Sequence, residues 1–154
     1  MNTFLKKYID ENFQNPGKAL DLGAWDFSDV NYLNNSGWKC VGVDKNMGID
    51  LENAYISNDV PFDLVFSNYV LHKINNKNQL VKTAYDNLKN GGKFFIHTFH
   101  KSDKNSKNGM DENEIISMLI SNGFKNPVVK IFDFYDSEVG HNHWHKILEI
   151  SATK

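Results

Sequence analysis

The stretch KALDLGAWDFSDVNYLNNSGWKCVGVDKN, from Lys18 to Asn46, decides the fold. Its pattern predicts a buried strand, a turn, a short helix and a second strand that ends at the acidic residue Asp44. This order is typical of the first unit of a nucleotide-binding α/β sheet. The turn GAWDF retains only one glycine, Gly23, where such turns usually carry several. Function therefore depends on which ligand this turn can still hold.

Strands are predicted wherever short apolar runs lie between turn residues. A brief extra strand at Gly48 to Asp50 is expected within the irregular link NMGIDLENAYISNDVP. The main predicted strands are KALDL, WKCVGVD, FDLVFSN, KFFIHTFH, PVVKIFDFY and HWHKILEISA.

Helices are predicted where apolar residues recur at a spacing of three and four. The helix after the first strand is expected to be capped by Asp26 or Ser28. A glycine, Gly91, is expected to stop the helix that follows the third strand. A polar loop, KSDKNSKNGMD, precedes a helix that Asp111 should cap and Gly123 should stop. The predicted helical segments are FLKKYIDENF, the stretch ending at NNSG, KNQLVKTAYDNLKNGG and DENEIISMLISNGF.

Strands that alternate with helices predict a parallel sheet built with right-handed crossovers. The last two strands are joined by too few residues for a crossover helix, so they should pair antiparallel. The expected fold class is α/β: a Rossmann-like open sheet, mostly parallel with an antiparallel C-terminal strand, and helices on both faces. Residues 1–154 should form a single domain. In such sheets a ligand binds beyond the carboxyl ends of the strands, where the strand order reverses.

Composition excludes several classes of function. Of the 154 residues 40% are hydrophobic and 23% are charged, as in ordinary globular proteins. No apolar run has the length of a membrane span, and a net charge of −2 gives no general basic surface for nucleic acid. Cys40 is the only cysteine, which favours the reducing cytoplasm.

The motifs ALDLG, VGVDKN, FDLVFSNYVLHKI and NLKNGGKFFIHTF occur in an order and at a spacing that resemble the class I S-adenosylmethionine-dependent methyltransferases. The resemblance extends from about Lys18 to Lys154. The ending GHNHWHKILEISATK is most similar to the small-molecule methyltransferases of the tellurite-resistance type. The resemblance implies S-adenosylmethionine as cofactor and methyl transfer to a small-molecule acceptor.

Two departures from the family pattern lie on the cofactor side. Trp25 and Phe27 occupy positions that are usually glycine, and the helix between the second and third strands is missing or almost so. A non-glycine residue in left-handed geometry costs about 1–2 kcal/mol. These departures leave a catalytically silent binding or regulatory protein as an alternative.

An NAD-binding enzyme is the second alternative, and the turn argues against it. A pyrophosphate needs bare backbone N–H groups at a helix N-terminus. Trp25 adds bulk there, and Asp26 and Asp29 place carboxylates at the same helix end. The sulfonium and ammonium of S-adenosylmethionine are compatible with carboxylates.

The candidate cofactor residues follow the predicted strand ends. Asp44 is expected to accept hydrogen bonds from the ribose hydroxyls, and Asp21 either orders the turn or reaches the methionine ammonium. The resemblance implies that Asp50 accepts from the adenine amine, although it could equally be a surface turn acid. Tyr69 could line the pocket or belong to the core. The full set is Asp21, Gly23, Ala24, Trp25, Asp44, Lys45, Asp50, Leu51, Asn68 and Tyr69.

Histidines are the candidate bases, because a base is needed when the acceptor must lose a proton. His72 and His100 follow the third and fourth main strands, and His143 lies in the run HNHWH. His141, His143 and His145 alternate, so on a strand they would share one face. That spacing could bind a metal, line a pocket or lie on an exposed hairpin, and no metal site is assigned. His97 is expected to be structural.

Overall fold

The computed structural model describes residues 1–137 and 142–154. One-turn 3₁₀ helices occupy Lys45–Met47 and Leu71–Lys73. The other elements are α1 (Thr3–Asn12), β1 (Lys18–Leu22), α2 (Ser28–Asn35), β2 (Lys39–Val43), β3 (Phe62–Asn68), α3 (Lys77–Asn87), β4 (Leu88–Phe99), α4 (Glu112–Ser121), β5 (Lys125–Asp136) and β6 (His143–Thr153).

The strands form one six-stranded sheet in the order β2-β1-β3-β4-β6-β5. The pairs β1–β2, β1–β3 and β3–β4 are parallel, whereas β6 is antiparallel to both of its neighbours, β4 and β5. The predicted fold class, including the antiparallel C-terminal strand, is confirmed. The strand order reverses at β1, which has β2 on one side and β3 on the other.

Helices cover both faces of the sheet, as predicted. On one face, Leu5, Tyr8 and Ile9 of α1 form a buried cluster with Val30 and Leu33 of α2. On the other face, the apolar sides of α3 and α4 pack over the centre of the sheet. Asn2 caps α1 by accepting hydrogen bonds from the N–H groups of Phe4 and Leu5. Among the residues described, no helix is both long enough and apolar enough to cross a membrane.

The link between β2 and β3 contains no regular strand or α-helix. The expected brief strand at Gly48 to Asp50 is wrong, because Asp44 accepts from the N–H of Asn46 and starts a single 3₁₀ turn. Gly48, at φ 83°, ends that turn in left-handed geometry. The absence of the helix that usually joins these strands is confirmed.

Helix α3 ends at Asn87 rather than at Gly91, so the predicted glycine stop is wrong. The buried Asn87 amide donates to the carbonyls of Tyr55 and Thr83 and accepts from the N–H of Ser57. The backbone then enters β4 at Leu88, which pairs with Phe62 of β3, and Gly91 donates to the carbonyl of Lys154. The glycine pair thus lies inside a strand.

Burial of His97 should make stability depend on pH. Its ring is fully buried, stacks on Phe4 with 4.8 Å between centroids, and has a pKa lowered by burial to about 3. Between that value and the unfolded value near 6.5, only the unfolded chain holds the proton. The stabilising contribution is therefore complete above pH 6.5 and is lost as pH falls.

We expect the wild type to lose up to about 2 kcal/mol more unfolding free energy than His97→Phe between pH 7 and pH 5. Chemical denaturation at the two pH values measures the difference. Equal losses in both proteins would contradict this prediction.

Candidate functional site

The turn after β1 is held against the end of β2 by backbone hydrogen bonds. The N–H groups of Gly23 and Ala24 both donate to the carbonyl of Val43, at 2.8 and 3.0 Å. Gly23 has φ 102°, and a Cβ there would lie 2.2 Å from Cγ2 of Val70. A side chain at this position is excluded both by conformation and by space. The one surviving glycine of the motif is therefore the one that the packing requires.

Trp25 and Phe27 adopt the left-handed geometry that glycine would tolerate without strain. Their φ angles are 45° and 60°. The Trp25 side chain is 75% exposed, so its ring does not fill the space beneath the turn. Phe27 packs against the cluster that contains Ala24 and Val30. The turn thus keeps its shape although the backbone of two non-glycine residues is strained.

The predicted cap of α2 is wrong. Phe27 occupies the N-cap position without a side-chain hydrogen bond, although the Asp26 carboxylate accepts from the N–H of Ser28 at 3.0 Å. The hydrogen bonds from Ser28 lower the pKa of Asp26. Asp29 accepts from the N–H of Asn2 at 2.7 Å and from the Asn68 amide at 2.8 Å. Carboxylates therefore surround this helix end.

Asp44 joins the ends of β1 and β2. One carboxylate oxygen accepts from the N–H of Trp25 at 3.2 Å, and the other accepts from the N–H of Asn46 at 2.9 Å. The side chain is half-buried and faces a cavity. Asp44 is thus oriented toward the cavity by the turns on either side.

A cavity of about 520 Å³, here called the turn cavity, lies beyond the ends of β1, β2 and β3. It brings together eight of the ten predicted cofactor residues. Its lining residues are Gly23, Trp25, Asp44, Lys45, Asn46, Ile49, Asp50, Leu51, Glu52, Asn68, Tyr69, Val70, Lys73 and Ile74.

Two predicted cofactor residues lie outside that lining. Ala24 is 5% exposed and packs toward Gly42, where a Cβ would approach the Ala24 Cβ to 2.7 Å. Ala24 was predicted to bind the cofactor, and the structure places no part of it in the lining of the turn cavity. Asp21 is buried at the base of the turn, and burial raises its pKa well above the usual range, with Asp29 adding to the effect. Its Oδ1 has no hydrogen-bond partner among the described residues.

Several lining residues were missed from the sequence. Glu52 accepts from the N–H groups of Asn75 and Asn76 at 2.8 and 2.7 Å, which ties the irregular link to the segment before α3. Val70 directly follows the predicted pair Asn68 and Tyr69, and Ile74 follows after the 3₁₀ turn Leu71–Lys73. Val70 and Ile74 could have been predicted from their apolar character after a polar strand end. Glu52 could not, because it lies in a stretch without periodicity.

A second cavity of about 870 Å³, here called the histidine cavity, adjoins the turn cavity. Tyr69 and Lys73 line both. Its lining residues are Met1, Asn2, Thr3, Phe4, Tyr69, His72, Lys73, Phe99, Asn105, Ser106, Lys107, Phe134, Asp136, Ser137, His143 and His145.

His100 lines neither cavity, so the structure does not bring this predicted base together with the others. It is 7% exposed, and its Nε2 lies 2.8 Å from a Glu112 carboxylate oxygen. Its Nδ1 lies 2.7 Å from the Ser102 hydroxyl. Both nitrogens thus hold the loop after β4 against the start of α4.

His72 lines the histidine cavity as a neutral ring. Burial, with help from Lys73 and Lys77, lowers its pKa to about 4. Its Nδ1 lies 3.3 Å from the Thr98 hydroxyl, and its ring contacts Phe99. At neutral pH His72 can exchange hydrogen bonds with a ligand but is a weak base.

The alternating histidines share a face, as predicted for a strand. The Nε2 atoms of His143 and His145 are 2.9 Å apart, and both rings line the histidine cavity. His141 lies outside the described residues. Across residues 1–137 and 142–154, no group of three or more His, Cys, Asp or Glu side chains could hold a metal ion.

Residues 1–144 match the family model described as a methyltransferase domain, so the chain belongs to that family. It is an S-adenosylmethionine-dependent methyltransferase with the class I fold. No curated protein sequence is significantly similar to the chain.

Solved structures share the fold at low sequence identity. An S-adenosylmethionine-dependent methyltransferase from Mesorhizobium loti has 16% identity and a TM-score of 0.70, with 96% of each chain covered. TehB from Haemophilus influenzae has 16% identity and a TM-score of 0.74, covering 100% of this chain and 62% of its own. The 1,6-didemethyltoxoflavin-N1-methyltransferase from Burkholderia thailandensis, solved with 1,6-didemethyltoxoflavin and S-adenosylhomocysteine, has 16% identity and a TM-score of 0.70, covering 99% and 75%.

We expect Trp25→Gly to raise the free energy of unfolding by up to about 1 kcal/mol, because glycine relieves the left-handed strain and an exposed indole loses little burial. Chemical denaturation measures this change. As a control, Asn31→Gly on the exposed side of α2 should lower stability by about 0.4 kcal/mol. A loss in Trp25→Gly as large as that in the control would contradict the prediction.

Proposed function

We propose that this protein transfers the methyl group of S-adenosylmethionine to a small-molecule acceptor bound in the histidine cavity. The observation that carries the proposal is the adjacency of two cavities across Tyr69 and Lys73. One cavity has the position of the family's cofactor site, beyond the strand reversal. The other is large enough for a small ligand and opens beside it.

The turn cavity fits the nucleoside part of the cofactor. Asp44 would accept from the ribose hydroxyls, since its carboxylate is already oriented by two N–H groups. Asp50, which pairs with Lys45 at 3.4 Å, would accept from the adenine amine. The apolar side chains of Ile49 and Val70 would contact the adenine ring.

Two unpartnered acceptors suit the cationic methionine end. Asp21 Oδ1 and Asn68 Oδ1 are buried and have no hydrogen-bond partner within the part of the chain that the structure describes. An ammonium group can donate to such oxygens, whereas a pyrophosphate would be repelled by the carboxylates of Asp26 and Asp29 nearby. The turn thus favours S-adenosylmethionine over NAD.

When bound, the cofactor supplies an electrophilic methyl group, so the chain's main task is to align the acceptor. Tyr69 stands between the two cavities, with its N–H bonded to the His97 carbonyl at 2.7 Å and φ 56°. The fixed backbone of Tyr69 would keep its position between the two cavities constant, and the methyl group would pass from one cavity to the other beside it.

The acceptor is proposed to be small and at least partly aromatic. Rings of Phe4, Phe99 and Phe134 line the histidine cavity, and such walls suit a flat apolar body. The Burkholderia neighbour was solved with the small molecule 1,6-didemethyltoxoflavin, which supports a small-molecule acceptor here. The net charge of −2 offers no general attraction for nucleic acid.

The chain is proposed to act as one domain, residues 1–154, in the cytoplasm. One continuous sheet supports the single domain. The only cysteine, Cys40, is free and buried, which is compatible with a reducing compartment.

We expect Asp44→Asn to weaken binding of S-adenosylhomocysteine by roughly 10- to 100-fold, because a charge-assisted hydrogen bond to a ribose hydroxyl contributes about 1.5–3 kcal/mol. Isothermal titration calorimetry measures the affinity. The control, Asp26→Asn, removes the same charge from the same turn without a side chain in the cavity, and should change affinity by less than about threefold.

Unchanged affinity in Asp44→Asn would contradict the assigned role of Asp44. A wild type that gives no heat at millimolar S-adenosylhomocysteine would instead favour the catalytically silent alternative. A thermal shift with NAD and none with S-adenosylhomocysteine would favour an NAD enzyme.

A further inference from the structure

A hydrogen-bonded chain of three side chains reaches the histidine cavity. Asp103 Oδ2 lies 3.0 Å from Nδ1 of His145, and Nε2 of His145 lies 2.9 Å from Nε2 of His143. Asp103 comes from the loop after β4, whereas both histidines belong to β6. The tertiary fold thus assembles a carboxylate–imidazole–imidazole series that ends at the cavity lining.

The chemistry of the donors sets where the protons lie. An ionised carboxylate only accepts, so Nδ1 of His145 carries the hydrogen that points to Asp103. In the neutral pair, Nε2 of His145 then accepts from Nε2–H of His143. Nδ1 of His143 then carries no hydrogen and is an acceptor nitrogen.

The Asp103 carboxylate, which orients the two imidazole rings, is held in place by burial and hydrogen bonds. The Asp103 side chain is fully buried; its Oδ2 also accepts from the N–H of Lys146 at 2.6 Å, and its Oδ1 accepts from the N–H of Asn105 at 2.7 Å. Burial by itself raises the pKa of Asp103, but the hydrogen bonds from Lys146, Asn105 and His145 outweigh it and lower the pKa. The ring of His145 packs on Phe99 with 4.6 Å between centroids.

Other charged and titratable groups face the same histidines. Asp136 of β5 is the register partner of His143 of β6. The strand beside the histidines therefore carries a second carboxylate. The other residues with titratable groups that line the cavity around the pair are Met1, through its amino group, and Tyr69, His72, Lys73 and Lys107.

We propose that His143 is the general base that takes the acceptor's proton, and that His145 and Asp103 are positioning residues that hold it in the required tautomer. This inference rests on the proposed function. It assigns the acceptor to a class: an aromatic molecule whose nucleophilic oxygen or ring nitrogen carries a proton that must be lost. The phenyl walls of the cavity contact the aromatic body, and the histidine pair faces its polar end.

The proposed step balances without a further reactant. The proton on the acceptor atom passes to Nδ1 of His143, and the electron pair left on that atom forms a bond to the methyl carbon. The bond from that carbon to the cofactor sulfur breaks, and its electron pair stays on the sulfur. His143 then releases the proton to solvent, while Asp103 offsets the positive charge through His145.

Nitrogen NMR of the histidine side chains tests the series in the protein without any ligand. At pH 7.5 we expect His145 to be protonated at Nδ1 and His143 at Nε2, with signals assigned from His143→Gln and His145→Gln. Asp103→Asn should change the His145 pattern, whereas Asp133→Asn, which removes a carboxylate paired with the Lys146 ammonium on the exposed side, should not. A His143 ring protonated at Nδ1 in the wild type would overturn the proposal.

Methyl transfer from radiolabelled S-adenosylmethionine to catechol, phenol and 1,2,4-triazole tests the acceptor class. We expect His143→Gln to lower kcat by about 100-fold or more and Asp103→Asn by about tenfold, with KM changed less than about threefold. In His143→Gln the rate should keep rising with pH, since the acceptor must then ionise unaided. A merely structural role would instead change KM and thermal stability.

Calorimetry with S-adenosylhomocysteine on the same variants separates the two proposals. No binding by the wild type contradicts the proposed function itself. Binding by the wild type with no methylation of any probe contradicts the acceptor class, and equal kcat in the wild type and His143→Gln contradicts the base. Equal losses in Asp103→Asn and Asp133→Asn contradict the positioning role of Asp103.

Discussion

The structure depends on the short set of hydrogen bonds that ties the turn after β1 to the end of β2. The carbonyl of Val43 accepts from the N–H groups of Gly23 and Ala24, and Asp44 accepts from the N–H of Trp25. These bonds force the turn into left-handed geometry although only one glycine remains. Because the turn is fixed, the ends of β1, β2 and β3 enclose a cavity rather than a filled core.

The N-terminal segment completes the site from the other side. Helix α1 covers one face of the sheet, and the residues just before it line the histidine cavity. Asp29 links this segment to the end of β3 by accepting from both Asn2 and Asn68. The Asp29 carboxylate, which would repel a phosphate, therefore stabilises the contact between the N-terminal segment and β3. This structural role is a reason for acidic residues at the start of α2.

Sequence patterns predicted the sheet, its helices and most of the turn cavity, because strand ends and periodicity are local signals. Asp44 and Asn68 were predicted in this way, because Asp44 directly follows β2 and Asn68 ends β3, and both line the turn cavity. His100 was predicted by the same rule, but its ring turns away to bond Glu112. Position at a strand end indicates proximity to the site but not the direction of a side chain.

The sequence by itself determined the order of elements, the antiparallel final strand and the family, because these follow from alternation, spacing and connection length. Only the tertiary structure decided that the acid of a polar loop, Asp103, meets His145, 42 positions later in the chain. That contact depends on the register of β4 against β6 and on the path of the loop between β4 and α4. No local pattern encodes such a pairing, since it arises when the sheet closes and buries the carboxylate beside the imidazole.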